Sequence, residues 1–203
     1  MNELKWNRLR YSFYAPIYDW IAGIFNESRR KSIEALNLQA GQKVLLVGAG
    51  TGLDLPYIPE GVEVLATDLT PAMLEKCKSQ KLATGVKLET RVMDGQNLEL
   101  EDTLFDAVIL HLIVAVIPEP VACLNEADRV LKPGGQIAVF DKFNQAKTTG
   151  ILRRILNKLT HFLFSDITRN FYTLSEDLNW KVLSDKGANF GGNFRIIKAI
   201  KVH

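Results

Sequence analysis

From residue 43 onward, short β-branched runs alternate with longer stretches of helical periodicity. This alternation is typical of a parallel sheet covered by helices. Strands are predicted at about residues 43–47, 63–67, 86–92, 105–110 and 136–140. Two later runs, at residues 180–185 and 194–202, are too close together for a helical crossover, so we expect an antiparallel hairpin at one sheet edge. The predicted fold class is α/β, a doubly wound and mostly parallel sheet.

Length and composition are typical of a single globular domain. Of the 203 residues, 47% are hydrophobic and 24% are charged, which suits one domain with a substantial core. The longest apolar stretch, residues 107–117, is much shorter than the ~20 residues that cross a bilayer. Charged residues near the start argue against a signal peptide, and the two cysteines have no metal-ligand or redox spacing. We therefore expect a cytoplasmic protein without a metal site or a membrane span.

The charge is unevenly spread along the chain. The formal net charge is only +2, yet Lys and Arg outnumber Asp and Glu in residues 1–31 and 142–172. Two basic flanks around an acidic centre indicate either an anionic partner at the flanks or solvated faces without a partner. The sequence leaves both interpretations open.

A glycine turn follows the first predicted strand, in the stretch VLLVGAGTGLDLP at residues 44–56. Glycines at positions 48, 50 and 52 let backbone amides approach a ligand, because a Cβ would block the approach and some positions need a positive φ. A dinucleotide site has the spacing G-x-G-x-x-G. Its third glycine would fall at Leu53, so the turn favours a ligand without a pyrophosphate.

Two carboxylates are predicted at the same sheet edge as this turn. Asp68 ends the second strand, where it can accept hydrogen bonds from both hydroxyls of a ribose. Asp94 follows the third strand, where it can reach an adenine amino group. Leu69 and Met73 can flank the adenine ring or can simply pack in the core.

Five motifs follow one another along residues 43–140, namely VLLVGAGTG, VEVLATD, RVMDGQNL, FDAVILHLIVAVIPEP and LKPGGQIAV. This order resembles that of the class I S-adenosylmethionine-dependent methyltransferases. The resemblance implies a Rossmann-like sheet of seven strands in the order 3-2-1-4-5-7-6, the last strand antiparallel, with S-adenosyl-L-methionine as the cofactor. It also implies that the glycines line the methionine moiety, Asp68 the ribose and Asp94 the adenine. The residues predicted to bind the cofactor are Tyr14, Tyr18, Gly48, Ala49, Gly50, Gly52, Asp54, Asp68, Leu69, Met73, Met93, Asp94, Gly95 and His111.

One residue departs from the family pattern. Members usually carry Glu or Asp two residues before the first glycine, where this chain has Leu46. In the family that acid helps to orient the glycine turn and the charged methionine end of the cofactor. Asp54, two residues after Gly52, is the acid that we predict to compensate.

The acceptor is predicted from the segments around the cofactor site. Tyr14 to Asp19 resembles the Y-A-x-x-Y-D lid of quinone-biosynthesis and phospholipid methyltransferases, which implies that Tyr14 and Tyr18 cover the cofactor. The soluble bacterial phosphatidylethanolamine N-methyltransferases resemble this chain most, in segments at residues 111–120, 137–143, 165–171 and 191–199. We therefore predict a phospholipid acceptor, with another small molecule as the alternative.

A basic segment, ILRRILNKLTHFLF at residues 151–164, mixes cations with apolar residues. Such a helix can lie in the headgroup region of an anionic bilayer, as a peripheral contact at the inner membrane face, or can act as an ordinary lid helix. The predicted single domain, residues 1–203, comprises N-terminal lid helices at 1–40, a cofactor-binding core at 41–141, a basic helical insertion at 142–175 and a C-terminal hairpin at 176–203.

An ethanolamine ammonium group must lose a proton before it can accept a methyl group. His111 and Asp141 are predicted at the carboxyl edge of the sheet and are candidate bases, although a lone His beside an apolar run often packs in a core. Tyr18 can bind the cationic headgroup through its ring. The predicted catalytic residues are His111, Tyr18 and Asp141.

Other functions stay open at this point. Methylation of a quinone, a small amine or a thiol needs the same cofactor half, and Leu46 also fits a cofactor-binding protein without catalysis. Leu53 and the terminal hairpin disfavour a dehydrogenase. Because HLIVAV stands where an N-P-P-Y motif would follow the fourth strand, nucleic acid is not an expected partner. The oligomeric state is not defined by the sequence.

Overall fold

The computed structural model describes residues 23–143 and 169–202. The predicted lid residues Tyr14 and Tyr18 and the basic segment at 151–164 lie outside the described residues.

The described residues form seven strands and several helices in alternation. The strands are β1 (Lys43–Val47), β2 (Glu63–Asp68), β3 (Lys87–Val92), β4 (Phe105–His111), β5 (Leu131–Lys142), β6 (Trp180–Ala188) and β7 (Phe194–Lys201). The helices are α1 (Asn26–Leu36), α2 (Pro71–Lys78), α3 (Pro120–Val130), α4 (Phe171–Leu174) and the single turn α5 (Asn189–Gly192), with 3₁₀ turns at Gly23–Phe25 and Leu55–Tyr57.

The strands form one sheet in the order β3-β2-β1-β4-β5-β7-β6. Strands β1 to β5 pair in parallel, whereas β7 is antiparallel to both β5 and β6. The predicted sheet order and the terminal hairpin are therefore confirmed. Because the parallel strands all run the same way, their carboxyl ends meet at one edge, which we call the carboxyl edge.

Strand β5 begins earlier than predicted. Leu131 already pairs with Phe105, and the register then shifts so that Ala107 pairs with Gln136. The extra residues of β5 include Gly134, whose φ of 74° suits a glycine. The predicted start at residue 136 was wrong because the Pro-Gly-Gly run forms an irregularity within the strand, not a turn before it.

The central strands of the sheet are buried on both faces, whereas the edge strands β3 and β6 are largely accessible. Successive side chains of a strand point to opposite faces, so Leu45 and Val47 share a core with α3, while Val44 and Leu46 share one with α1 and α2. Fully buried central strands explain why the sequence shows continuous apolar runs there. Among residues 23–143 and 169–202, no helix is long and apolar enough to cross a membrane.

Candidate cofactor site

The glycine loop after β1 is shaped by left-handed backbone conformations. Gly48, Gly50 and Gly52 have φ values of 67, 55 and 81°, which glycine adopts without steric cost. A Cβ on Gly48 would lie 2.7 Å from Cδ1 of Ile113, and a Cβ on Gly52 would lie 2.8 Å from Sγ of Cys77. Neither position has room for a side chain, so at Gly48 and Gly52 the loop presents only its backbone.

Asp68 joins the end of β2 to this loop. Its Oδ2 accepts a hydrogen bond from the Gly50 amide at 2.9 Å, and its Oδ1 accepts one from the Thr70 amide at 2.8 Å. Burial raises the pKa of Asp68, and the two amide hydrogen bonds oppose that rise. The carboxylate therefore lies beside the glycine loop at the edge where the sequence predicts it.

The end of β3 lies against the end of β1. A Cβ on Gly95 would come within 2.7 Å of Cγ1 of Val47, so the chain after β3 packs directly on the strand that leads into the glycine loop. Asp94 accepts hydrogen bonds from the amide and the side chain of Gln96, at 3.0 and 2.9 Å. The carboxylate is thereby fixed within a local turn at the carboxyl edge.

Among the apolar residues predicted to bind the cofactor, Leu69 and Met93 are half-buried, whereas Met73 is only 2% exposed. Leu69 and Met93 therefore retain accessible surface at this edge. Met73 belongs to the buried side of α2.

Asp54 lies in a buried cluster behind the loop. Nη1 of Arg29 donates to Oδ2 of Asp54 at 2.7 Å, and Nδ1 of His111 lies 2.6 Å from Oδ1. Burial alone would raise the pKa of Asp54, but the nearby Arg29 and His111 hold it below its usual range. Because an ionised carboxylate only accepts hydrogen bonds, Nδ1 carries the proton.

The cluster continues from His111 to α1. Nε2 of His111 lies 2.9 Å from Oγ of Ser32, and both residues are buried. An imidazole that is neutral and carries its proton on Nδ1 accepts a hydrogen bond at Nε2 from the Ser32 hydroxyl. Both ring nitrogens of His111 are therefore engaged by buried side chains, and its predicted catalytic role stays a prediction.

Arg29 and Ser32 were missed by sequence reasoning, although the sequence carries a signal for them. Arg29, Ser32, Ile33 and Leu36 are all buried on one face of α1, at the helical spacing of an apolar stripe. A cation on such a stripe requires a buried anion nearby. That requirement points to an acid on the facing loop.

Asp141, at the end of β5, holds the loop that follows β4. Its Oδ2 accepts from the Ala115 amide at 2.9 Å, and its Oδ1 accepts from the Lys142 amide at 2.7 Å. Burial raises the pKa of this carboxyl to about 6. Both carboxylate oxygens are thus engaged by the backbone, and the predicted role of Asp141 as a base stays a prediction.

Arg169 holds the same loop from another side. Its Nη1 donates to the Ile117 carbonyl at 2.7 Å and also to the Val114 carbonyl. Sequence reasoning did not single out this arginine, because its partners lie more than 50 residues away in the chain. The loop at residues 112–117 places the Ile113 side chain against Gly48. The position of this loop therefore affects the packing of the glycine loop.

An aromatic cluster borders this edge on the side of β5 and β7, in which Phe140 and Phe194 are at most 9% exposed. Rings of Phe25, Phe140 and Phe194 pack with centroid distances of 4.8 to 5.9 Å, and Phe140 meets the His111 ring edge-on at 5.8 Å. The neighbouring Phe190 is 62% exposed. The carboxyl edge therefore joins a polar half around the glycine loop to an apolar half around these rings.

Similarity to known proteins identifies the class. The chain matches the family described as Methyltransferase domain over residues 45–139. It is 34% identical over 148 residues to a phosphatidylethanolamine N-methyltransferase of Cereibacter sphaeroides, a match covering 72% of each chain. The chain belongs to the class I S-adenosylmethionine-dependent methyltransferases.

Two further relatives extend this comparison. A demethylmenaquinone methyltransferase of Paenarthrobacter aurescens is 33% identical over 131 residues, which cover 62% of this chain and 50% of that protein. A solved S-adenosylmethionine-dependent methyltransferase of Methanosarcina mazei has a TM-score of 0.66 at 21% identity, covering 84% of this chain and 96% of that one. At this identity the solved structure supports the fold alone.

The residues at the carboxyl edge fit S-adenosylmethionine. Gly48 and Gly52 leave no room for a side chain on the loop, and Asp68 is fixed beside it by the Gly50 amide. S-adenosylmethionine is therefore the cofactor of this methyltransferase. In the parts of the chain that the structure describes, no group of three or more His, Cys, Asp or Glu could hold a metal ion.

Proposed function

We propose that this methyltransferase methylates the amino group of phosphatidylethanolamine. The observation that carries the proposal is the 34% identity to a phosphatidylethanolamine N-methyltransferase over 148 residues. The apolar half of the carboxyl edge supports it, because Phe190 is 62% exposed and Ile24, whose carbonyl accepts a hydrogen bond from the Asn189 side chain, is 54% exposed. A lipid acceptor brings acyl chains that suit such a surface, whereas a small polar amine does not.

Methyl transfer requires the side chains mainly to position the acceptor amine and the cofactor. When bound, S-adenosylmethionine would supply a methyl group on its sulfonium for in-line displacement by the acceptor amine, with the thioether S-adenosylhomocysteine as the leaving group. The protein has to align a neutral amine with that methyl group and to exclude water. In this proposal the acceptor side is formed by the loop that Asp141 and Arg169 hold and by the exposed Phe190 at the border of the aromatic cluster.

The amine must lose its proton, and His111, Asp141 and Tyr18 remain the candidates to accept it. His111 would have to release Ser32 from Nε2, and Asp141 would have to release a backbone amide. Water can otherwise take the proton before the amine reaches the site. This proposal therefore relies on placement and leaves the identity of the base to mutagenesis.

We further propose that residues 1–203 act as one domain and that the basic flanks hold it against an anionic membrane surface. The charge distribution supports this placement, since Lys and Arg exceed Asp and Glu in residues 1–31 and 142–172. Electrostatic attraction to anionic lipid falls with added salt. Sedimentation with vesicles at low and high salt tests it, and salt-independent or absent binding would contradict it.

A quinone acceptor is the second candidate. The relative that favours it is the demethylmenaquinone methyltransferase, at 33% identity over 131 residues. Demethylmenaquinone and a phospholipid both carry apolar tails, so the exposed Phe190 fits either acceptor. The methylated atom distinguishes the two acceptors, because phosphatidylethanolamine is methylated on its amine and demethylmenaquinone on its ring.

The test supplies S-adenosylmethionine with a labelled methyl group and offers vesicles of phosphatidylethanolamine or of demethylmenaquinone in phosphatidylglycerol. Mass spectrometry of the extracted lipid identifies the methylated product. At a limiting cofactor concentration we expect label on the ethanolamine amine with the native chain and much less with Asp68→Asn, while Glu60→Gln, an exposed change, retains activity. Label on the quinone with none on the amine would contradict a phosphatidylethanolamine acceptor and support the quinone acceptor.

A further inference from the structure

The buried cluster of Arg29, Ser32, Asp54 and His111 joins three parts of the fold. Two members come from α1, one from the end of the glycine loop and one from the last position of β4. Each is at most 4% exposed. We infer that this cluster positions the glycine loop for the methionine end of the cofactor, and that Asp54 acts through the loop without touching the cofactor.

Both carboxylate oxygens of Asp54 are engaged by buried side chains of the cluster. Oδ2 accepts a hydrogen bond from Nη1 of Arg29 at 2.7 Å, and Oδ1 lies 2.6 Å from Nδ1 of His111. The charges of Arg29 and Asp54 cancel within the interior. To pair with Asp54, the ammonium group of the cofactor would have to displace the buried Arg29 guanidinium, and separating a buried ion pair costs free energy.

The link from Asp54 to the loop runs through the backbone. The Leu55 amide donates to the Gly52 carbonyl at 3.0 Å, and the Tyr57 amide donates to the Asp54 carbonyl at 3.0 Å. Fixing the Asp54 side chain therefore fixes the segment that leaves Gly52. This is needed because three left-handed glycines in a short loop are free to take other conformations.

The cluster also explains how the chain tolerates Leu46. That side chain is 1% exposed and lies in the apolar core with α1 and α2, so β1 supplies no acid to the loop. The acid comes from the other end of the loop instead, and α1 supplies its counter-charge. In this inference His111 is a positioning residue, held by Ser32 as well as by Asp54.

The experiment measures binding to the full chain by calorimetry, with S-adenosylhomocysteine and with methylthioadenosine, which lacks the amino-acid end. We expect Asp54→Asn and Arg29→Gln each to weaken the binding of S-adenosylhomocysteine by about 10-fold or more, as for loss of a charged hydrogen bond. Methylthioadenosine should change by less than about 3-fold, given the spread of non-additive effects. Arg29→Lys, which keeps the cation, should recover most of the affinity.

The sign of the Arg29→Gln effect separates positioning from contact. If Asp54 pairs directly with the ammonium of the ligand, removing Arg29 frees the carboxylate and binding tightens, which would overturn the inference. Equal weakening of both ligands, or no change in either, would also overturn it. Because Arg29→Gln removes a buried charge, circular dichroism must show that it folds.

Ser32→Ala provides the second variant, since it removes one hydrogen bond without a charge. We expect it to weaken S-adenosylhomocysteine by about 3-fold and to leave methylthioadenosine unchanged, in proportion to one neutral hydrogen bond. If the Ser32→Ala variant binds S-adenosylhomocysteine with unchanged affinity, Ser32 of α1 does not help to position the glycine loop, and that part of the inference is wrong. No acceptor enters these assays, so the outcome is independent of the proposed lipid substrate.

Discussion

Substituting Gly52 by alanine should destabilise the protein through two separable effects. The first is the left-handed φ of 81°, which costs an alanine roughly 1–2 kcal/mol. The second is steric, because the new Cβ would lie 2.8 Å from Sγ and 3.0 Å from Cα of Cys77. Backbone cannot move aside as a flexible side chain can, so overpacking should add about 1–3 kcal/mol. We therefore expect a total loss of about 2–5 kcal/mol.

Gly134→Ala is the matched control. Gly134 has a φ of 74°, yet no atom lies within 4 Å of its added Cβ, so only the backbone cost of about 1–2 kcal/mol applies. Equilibrium unfolding in urea, followed by circular dichroism, gives both free energies of unfolding. Equal losses in the two variants would refute the close packing of the glycine loop on α2.

Three further predictions concern the rest of the site. Arg169→Gln removes the donors to two carbonyls, so amides in residues 112–117 should exchange hydrogen faster by mass spectrometry. Burial raises the pKa of Asp141 from 3.8 to about 6, so the folded state keeps a proton that the unfolded state has lost in this window. Asp141 should therefore lower the free energy of unfolding as pH rises from about 4 to 6, and Asp141→Asn should flatten that decline. Burial also raises the pKa of Cys77 and Cys123 to about 12, so both thiols should react with a thiol reagent only as the protein unfolds.

Each of these predictions has a control or a contradicting result. Arg91→Gln breaks an exposed pair with Glu89 on β3 and should leave exchange in residues 112–117 unchanged. An identical pH dependence of unfolding in Asp141→Asn and the native chain would contradict the buried carboxyl. Stoichiometric thiol labelling of the folded protein would contradict the burial of the two cysteines.

The fold was predictable because its signals are local. Alternating strand and helix patterns indicate the layers, and the short link between β6 and β7 excludes a helical crossover. The sheet order itself came from the family resemblance, since pairing such as β1 with β4 depends on contacts far apart in sequence. The start of β5 was missed because Pro and Gly signal a turn equally well before a strand and at an irregularity within it.

The site was predictable only where backbone demands specific residues. Gly48 and Gly52 follow from positive φ and from the lack of space for a Cβ. The partners of Asp54 and His111 depend on how α1 packs on the sheet, and α1 contributes Arg29 and Ser32 from far away in the chain. Side-chain roles at the carboxyl edge therefore required the tertiary structure.

The central claim is that the glycine loop and Asp68 form an S-adenosylmethionine site. Calorimetric titration of the full chain with S-adenosylhomocysteine tests it most directly, with NAD as the competing ligand. We predict binding to a single class of site, a loss of about 10-fold or more in Asp68→Asn, as for a charged hydrogen-bonding group, and no measurable NAD binding. Tight NAD binding, or S-adenosylhomocysteine affinity that is unchanged in Asp68→Asn, would contradict the claim.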